Sequence, residues 1–215
     1  MPDLLDVVFA DNDLLVLNKP SGLLTVPGRG PDKQDCLASR AQARYPGALA
    51  AHRLDMATSG LVVMGRNPGI HRHLSRAFAD RAVDKRYTAV VDGRVAMPLG
   101  QEWRLIDLPL AADWPHRPRQ QVDAVHGRPS QTRYRVLAFD AITNSTRLEL
   151  LPLTGRTHQL RVHLQAIGHP ICGDPLYGST IIQAKASRLL LHANRLSFCH
   201  PVTGEQHCWS SAPPF

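Results

Sequence analysis

The apolar residues of this chain come in short runs closed by turn formers, and that punctuation limits most tightly what it can fold into. In residues 146–153, Leu148 and Leu150 alternate with Arg147 and Glu149. This is the two-residue period of a half-buried strand. Residues 132–139 give it an antiparallel partner. Residues 59–65, SGLVVMG, are apolar without alternation and predict a strand buried on both faces. Residues 4–10 and 14–17 flank Asp11-Asn12-Asp13 and predict a hairpin, because Asn and Asp tolerate tight turns. Further strands are expected over 85–92, closed by Gly93, and near 189–198 and 206–210. Helices are expected over 33–45, over 67–82, where Ile70, Leu74 and Phe78 share a face, and over 156–167. Residues 98–130, which hold many of the prolines, take no assignment. Strands joined mainly by short turns, with a few helices, predict an α+β fold: a mixed, largely antiparallel β-sheet with flanking helices, in one domain over 1–215.

No apolar run reaches the roughly 18 residues that a membrane span needs. The first residues are acidic rather than basic, which argues against a signal peptide. A cytoplasmic protein is expected. Cys36, Cys172, Cys199 and Cys208 form no C-x-x-C pair, so neither a disulfide framework nor a zinc ribbon is expected. The net charge of +7 points to a polyanionic partner. Arginine heavily outnumbers lysine, and arginine suits bidentate phosphate contacts and stacking on bases.

Two segments carry the chemistry. In His52-Arg53-Leu54-Asp55-Met56-Ala57-Thr58-Ser59-Gly60, a carboxylate stands among small and polar residues just before the buried strand. Arg53 is two residues from Asp55, so an extended chain turns both to one side. Alone, such a pair also fits a surface ion pair. In Thr154-Gly155-Arg156-Thr157-His158-Gln159-Leu160-Arg161-Val162-His163-Leu164, helical spacing lines up Arg156, Gln159 and His163 as a polar stripe. Leu160, Leu164 and Ile167 form the apolar stripe beside it. Thr154 or Thr157 is the expected cap, and a helix start bearing Arg156 suits an anion. A plain solvated basic face fits the same spacing. Gly173-Asp174-Pro175-Leu176-Tyr177-Gly178 is a turn cluster. The histidine pairs His71/His73, His158/His163 and His200/His207 lack the partners of a metal motif. There is no G-x-S-x-G elbow and no phosphate-loop or dinucleotide fingerprint.

Taken together, these segments resemble the RluA family of pseudouridine synthases. His52-Arg53-Leu54-Asp55 with Thr58-Ser59-Gly60 is similar to the family's catalytic motif. Lys19-Pro20-Ser21-Gly22-Leu23 is similar to its N-terminal motif, and Lys85-x-Tyr87 to its tyrosine strand. Gly155–His163 is similar to its arginine motif. Gly168-His169-Pro170-Ile171, Gly173-Asp174 with Tyr177-Gly178, and residues 189–193 continue the series. Residues 107–110, Asp113-Trp114-Pro115, Arg117-Pro118 and Val26-Pro27-Gly28-Arg29 are similar to a dual-specificity branch of that family.

The resemblance implies a catalytic domain with an RNA cleft across the sheet and no S4-type domain ahead of it. It implies isomerisation of uridine to pseudouridine in 23S ribosomal RNA and at the first anticodon-loop uridine of tRNA. It implies no cofactor, no metal and a monomer. Asp55 is the expected catalytic carboxylate, attacking ribose C1′ or assisting proton removal. Arg156 is the cation expected to keep it ionised, and Tyr87 the residue that stacks on uracil. Arg53 is expected to fill the space of the extruded base, with Leu160 or Ile171 as an apolar wall. His52, Lys19, Arg29 and Arg161 are further candidate RNA contacts, although His52, like His158 and His163, also suits a scaffold role. The rival readings are an RNA-binding module without catalysis and a metal-dependent hydrolase built on the histidines.

Overall fold

The computed structural model describes residues 5–96 and 102–215. The elements run β1 (Val7–Ala10), β2 (Leu14–Lys19), α1 (Leu37–Arg44), β3 (Leu49–Ala50), β4 (Ser59–Gly65) and α2 (Pro68–Ala79). Then come β5 (Asp84–Asp92), β6 (Arg104–Asp107), β7 (Leu110–Ala112), β8 (Gln120–Val122), β9 (Gln131–Asp140) and β10 (Ser145–Pro152). The chain ends with α3 (Gln159–Ala166), α4 (Thr180–Ala184), β11 (Leu191–Cys199) and β12 (Gln206–Ser210). It divides into two compact units, one of residues up to Lys85 with Ala193–Pro214, the other Arg86–His192 with Phe215.

In the first unit β1, β2 and β4 run antiparallel in that order, and β3 pairs with the end of β4. The β1–β2 turn forms because the Asp11 carboxylate accepts the N–H groups of Asp13 at 2.8 Å and Leu14 at 2.6 Å. Every residue of β4 is buried, as its unbroken apolar run predicts. Leu14, Val16, Leu61 and Val63 from β2 and β4 meet Ile70 and Leu74 of α2, with Phe78 packed at the edge. The expected helix face is thus the one that buries. Phe198 and Trp209 of the β11–β12 hairpin complete this core.

The second unit is built on the antiparallel order β5-β10-β9-β6, with the small β7–β8 hairpin apart from it. On β10, Leu148 and Leu150 are fully buried while Arg147 and Glu149 are half-buried, matching the two-residue period. Both units are therefore α+β; β1–β2, β2–β4 and β3–β4 in the first and β5–β10, β10–β9 and β9–β6 in the second pair antiparallel. No helix among the described residues is long and apolar enough to cross a membrane. Cys36 and Cys172 are buried and Cys199 and Cys208 exposed, all as free thiols.

Two helices start later than spacing suggests. The first begins at Leu37, because the Cys36 thiol and the Ser39 side chain form a reciprocal cap, and a 3-10 turn over Pro31–Lys33 precedes it. The third begins at Gln159 rather than 156, because His158 sits in the left-handed region at φ 53° and makes no side-chain cap. Neither Thr154 nor Thr157 caps it, and Arg156 lies before the helix. The unassigned middle contains β6 and the β7–β8 hairpin; residues 98–101 of it lie outside the described residues.

Gly60 has the least room of the first unit's described glycines. Its φ is +117°, and a Cβ there would lie 2.3 Å from the Ala193 carbonyl oxygen and 2.5 Å from the Ala193 nitrogen. Both atoms are backbone and cannot swing away. Gly60→Ala is therefore expected to cost about 3 kcal/mol or more. In a chain of this size that lowers Tm by roughly 6–12 °C, measured by differential scanning calorimetry.

Candidate active site

The Asp55 loop is held on both sides of the acid. Thr25, at the end of the Lys19–Thr25 segment, brackets the residue before it: its hydroxyl donates to the Leu54 carbonyl at 2.8 Å and accepts the Leu54 N–H at 3.1 Å. The residues after it are tied just as firmly. Gly22 N–H donates to the Met56 carbonyl at 2.8 Å, and the Ser21 hydroxyl donates to the Ala57 carbonyl at 2.7 Å. Thr58 N–H closes a turn on the Asp55 carbonyl at 3.0 Å. At the base of this arrangement is Lys19, which has no exposed surface. Its ammonium donates to the carbonyls of Pro20, Leu23 and Met56 at 2.9, 2.7 and 3.1 Å. Asp55 itself is half-buried, while Arg53, Met56 and Arg29 are exposed. A side chain whose backbone is fixed on either flank is pre-oriented, which general-base or nucleophilic chemistry needs.

These contacts change the expected role of two residues. Lys19 is an internal staple rather than a contact to RNA. His52 turns inward: its Nε2 accepts the Val63 N–H at 3.1 Å, and its ring stacks on Phe78 at 4.3 Å between centroids. Burial, helped by the positive charge of Lys85, pushes the His52 pKa down to about 3. It is a neutral acceptor that locks the start of the loop, as the scaffold alternative has it, and not an RNA contact.

In the second unit the arginine motif is mostly interior. Gln159 is 4% exposed and uses its whole amide. Its oxygen accepts from Thr154 Oγ1 at 2.8 Å and the Arg156 N–H at 3.0 Å. Its nitrogen donates to the Gln131 carbonyl and to Thr132 Oγ1, both at 3.0 Å. His163 continues the chain of bonds, with Nδ1 at 3.0 Å from Thr132 Oγ1 and Nε2 at 3.0 Å from the Leu108 carbonyl. Burial lowers its pKa against the opposing pull of that carbonyl and of Asp107. Gln159 and His163 are thus a buried clip between α3 and β9, not a solvated stripe.

Arg161 was expected to face RNA, but it is 2% exposed and grips Asp174 with two bonds of 2.8 and 2.7 Å. Asp174 also accepts the N–H groups of Leu176 and Tyr177 at 2.9 and 3.1 Å, so the turn cluster is an anchored one. Tyr177 in turn places its hydroxyl 2.7 Å from His158 Nδ1. Ile171 has no exposed surface and Leu160 is 7% exposed, so the expected apolar wall is packed into the interior. Arg156 is the cation that the motif leaves half-exposed, with Nε donating to the Pro129 carbonyl at 3.3 Å. Tyr87 is half-buried on β5, opposite Leu150.

Among the described residues, Asp11, Asp13 and His200 are close enough to hold a metal ion. Their bonds argue otherwise. His200 Nδ1 accepts the N–H groups of Val202 and Thr203, which leaves Nε2 to donate to Asp11 at 3.0 Å instead of offering a lone pair. The Asp11 carboxylate already serves its own turn.

The family model of RNA pseudouridylate synthases matches residues 13–166, which include the Asp55 loop and the whole arginine motif. The chain belongs to this family. The enzyme is 48% identical over 198 residues to the dual-specificity RNA pseudouridine synthase RluA of Yersinia pestis, covering 92% of this chain and 94% of that one. It is 45% identical over 209 residues to the RluA of Escherichia coli strain K12, covering 97% and 93%. The solved structure of human RNA pseudouridylate synthase domain containing 1 matches with a TM-score of 0.81 at 28% identity, over 100% of this chain and 86% of that one. As a pseudouridylate synthase the enzyme is an isomerase.

The residue that sequence reasoning missed is Thr25; Ser21 was named only as a motif member, and both position others. Polar residues inside a loop give no periodic signal, so only the short turn formers around them hinted at a fixed backbone. Replacing Thr25 with Val leaves the Leu54 N–H and carbonyl without their partner, at a cost of about 1–3 kcal/mol. The expected result is a kcat lowered about ten-fold with KM changed less than about two-fold, and recovery in Thr25→Ser, measured by steady-state pseudouridine formation.

His52 gives a pH signature. Its folded pKa lies below the ordinary value of 6.5. The unfolded chain therefore takes up a proton that the folded chain refuses, and stability present above about pH 6.5 is lost as pH falls towards the folded value. His52→Gln keeps an acceptor and cannot protonate. Its stability is expected to fall less steeply between pH 6.5 and 4.5 than that of the parent, by up to one proton's worth of slope, in urea unfolding across that range.

Proposed function

We propose that this enzyme isomerises selected uridines to pseudouridine in 23S ribosomal RNA and in the anticodon stem-loop of tRNA, with Asp55 as its catalytic carboxylate. The clamped backbone around Asp55, in a chain close to half identical to dual-specificity relatives over nearly its full length, carries this reading. The reaction breaks the bond from uracil N1 to ribose C1′ and rejoins the ring through C5. Product and substrate have the same atoms and oxidation state, so the chemistry calls for no redox cofactor or group donor. Asp55 acts on the sugar, by attack at C1′ or by assisting proton removal. The resemblance assigns Tyr87 to stacking and late proton transfer, and Arg156 to holding the acid ionised. Arg53 is exposed and neighbours the acid, which suits it to replace the extruded base in the stack. Arg29, also exposed, suits a contact to the phosphate backbone.

The two units are read as one catalytic domain acting as a monomer, working in the cytoplasm where its RNA substrates are. Asp55→Asn keeps the shape of the side chain and removes its charge. The variant is expected to fold and bind RNA while pseudouridine formation falls below detection in both RNAs, read by chemical mapping of 23S rRNA and tRNA. Full conversion by the variant would overturn the mechanism. Modification of neither RNA by the parent protein would overturn the choice of substrates.

A further inference from the structure

The β7–β8 hairpin presents an aromatic ring that the rest of the fold leaves uncovered. Its tip is well bonded: Asp113 N–H reaches the Arg119 carbonyl at 3.0 Å, His116 N–H the Asp113 carbonyl at 3.1 Å, and Arg119 N–H the His116 carbonyl at 3.0 Å. The Asp113 carboxylate lies 3.0 Å from His116 Nδ1. The base of the hairpin is pinned to the interior. Leu110 packs with Val162 and Tyr177 in a buried cluster, and Gln120 N–H donates to the Tyr177 hydroxyl at 2.8 Å. On this fixed turn Trp114 is 69% exposed. The other tryptophans differ: Trp209 is buried in the core, and Trp103 lies half-buried beside Arg86 and Arg135.

The Arg117 guanidinium lies 3.3 Å from the centre of the Trp114 ring and takes one face of it. With so much of the indole exposed, the other face meets solvent. Arg117 adds positive charge behind the open face, across the ring from it, and the nearby Asp113 carboxylate is already engaged by His116. A rigid open ring next to a guanidinium is the chemistry of a platform for a nucleobase.

We propose that Trp114 stacks on an unpaired base of the substrate RNA and so adds a second hold on the stem-loop. This rests on the RNA reading above, but it assigns a contact that the catalytic assignment does not use. The base must be unpaired and unstacked, because the flat faces of bases inside a duplex are already occupied by their neighbours.

The test titrates the full chain, Trp114→Ala and Trp114→Phe with a stem-loop carrying the target uridine and with a blunt duplex RNA, alongside steady-state pseudouridine formation. The expected result for Trp114→Ala is affinity for the stem-loop lowered about ten-fold. KM should rise by a similar factor, with kcat within about two-fold and duplex affinity unchanged. Trp114→Phe, which keeps a flat ring, should recover most of the loss. RNA-induced quenching of tryptophan emission should be present in the parent and largely absent in Trp114→Phe. Unchanged stem-loop affinity in Trp114→Ala would overturn the proposal, and so would an equal loss on duplex RNA. Failure of the Phe variant to recover, at unchanged thermal stability, would also overturn it. Normal binding by Trp114→Ala with full pseudouridine formation sinks the platform alone. A Trp114-dependent, loop-dependent hold in a protein that makes no pseudouridine sinks the catalytic reading and keeps the platform.

Discussion

A buried ammonium organises the Asp55 loop. Lys19 gives up all contact with solvent and receives three backbone carbonyls in exchange. Taking such a charge out of water is expensive, and it is tolerated where hydrogen bonds replace the hydration shell. An apolar side chain would fill the same volume more cheaply but would take the ammonium from the Pro20 and Leu23 carbonyls and leave that of Met56 with the Gly22 N–H alone. The cation does what packing cannot: it joins the turn after β2 to the residue after Asp55. Thr25 and Ser21 extend that join to Leu54 and Ala57. Gly60 then lets β4 pass within reach of the Ala193 backbone, so the strand that follows the loop is fixed as well.

The second unit solves the same problem with a different charge. Arg161 and Asp174 form a bidentate pair at 3% and 0% side-chain exposure, with the remaining acceptor capacity of the aspartate used by the turn that contains it. A broken half of such a pair is far more costly than the intact pair is favourable. The pair therefore acts as a device for specifying one geometry, and Gln159 and His163 do the same with neutral groups. Around this framework the half-exposed Arg156 is held by its backbone N–H on the Gln159 amide and by the Pro129 carbonyl.

Strand and helix faces were legible wherever burial follows a period. The alternation in β10 and Ile70 and Leu74 of α2 read directly from spacing, and the doubly buried β4 from its unbroken apolar run. Helix starts were less legible, because a cysteine cap at Cys36 and a left-handed His158 lie outside the usual signals. The site was legible as motifs and illegible as roles. Nothing in the letters distinguishes an arginine that reaches outward from one that grips a buried aspartate thirteen residues later. The position of Asp174 in a turn cluster suggested only a bend, since a turn former and a buried counter-ion have the same one-letter code.

That ambiguity bears on how the positive charge of the chain is used. A net charge of +7 invites every motif cation to be read as an RNA contact. Yet Lys19 and Arg161, inside two of the motifs, are sealed from solvent and present no charge to a phosphate. Direct contact with a phosphate comes only from cations that the ligand can reach. Arg29, Arg53 and Arg117 are of that kind, and all three stand on loops. The division has a physical cause. A charge that fixes a loop must be buried to be directional, whereas a charge that draws in RNA must remain wet to be reached. One residue cannot serve both ends, so the buried cations build the site and the exposed ones are left to recruit its substrate.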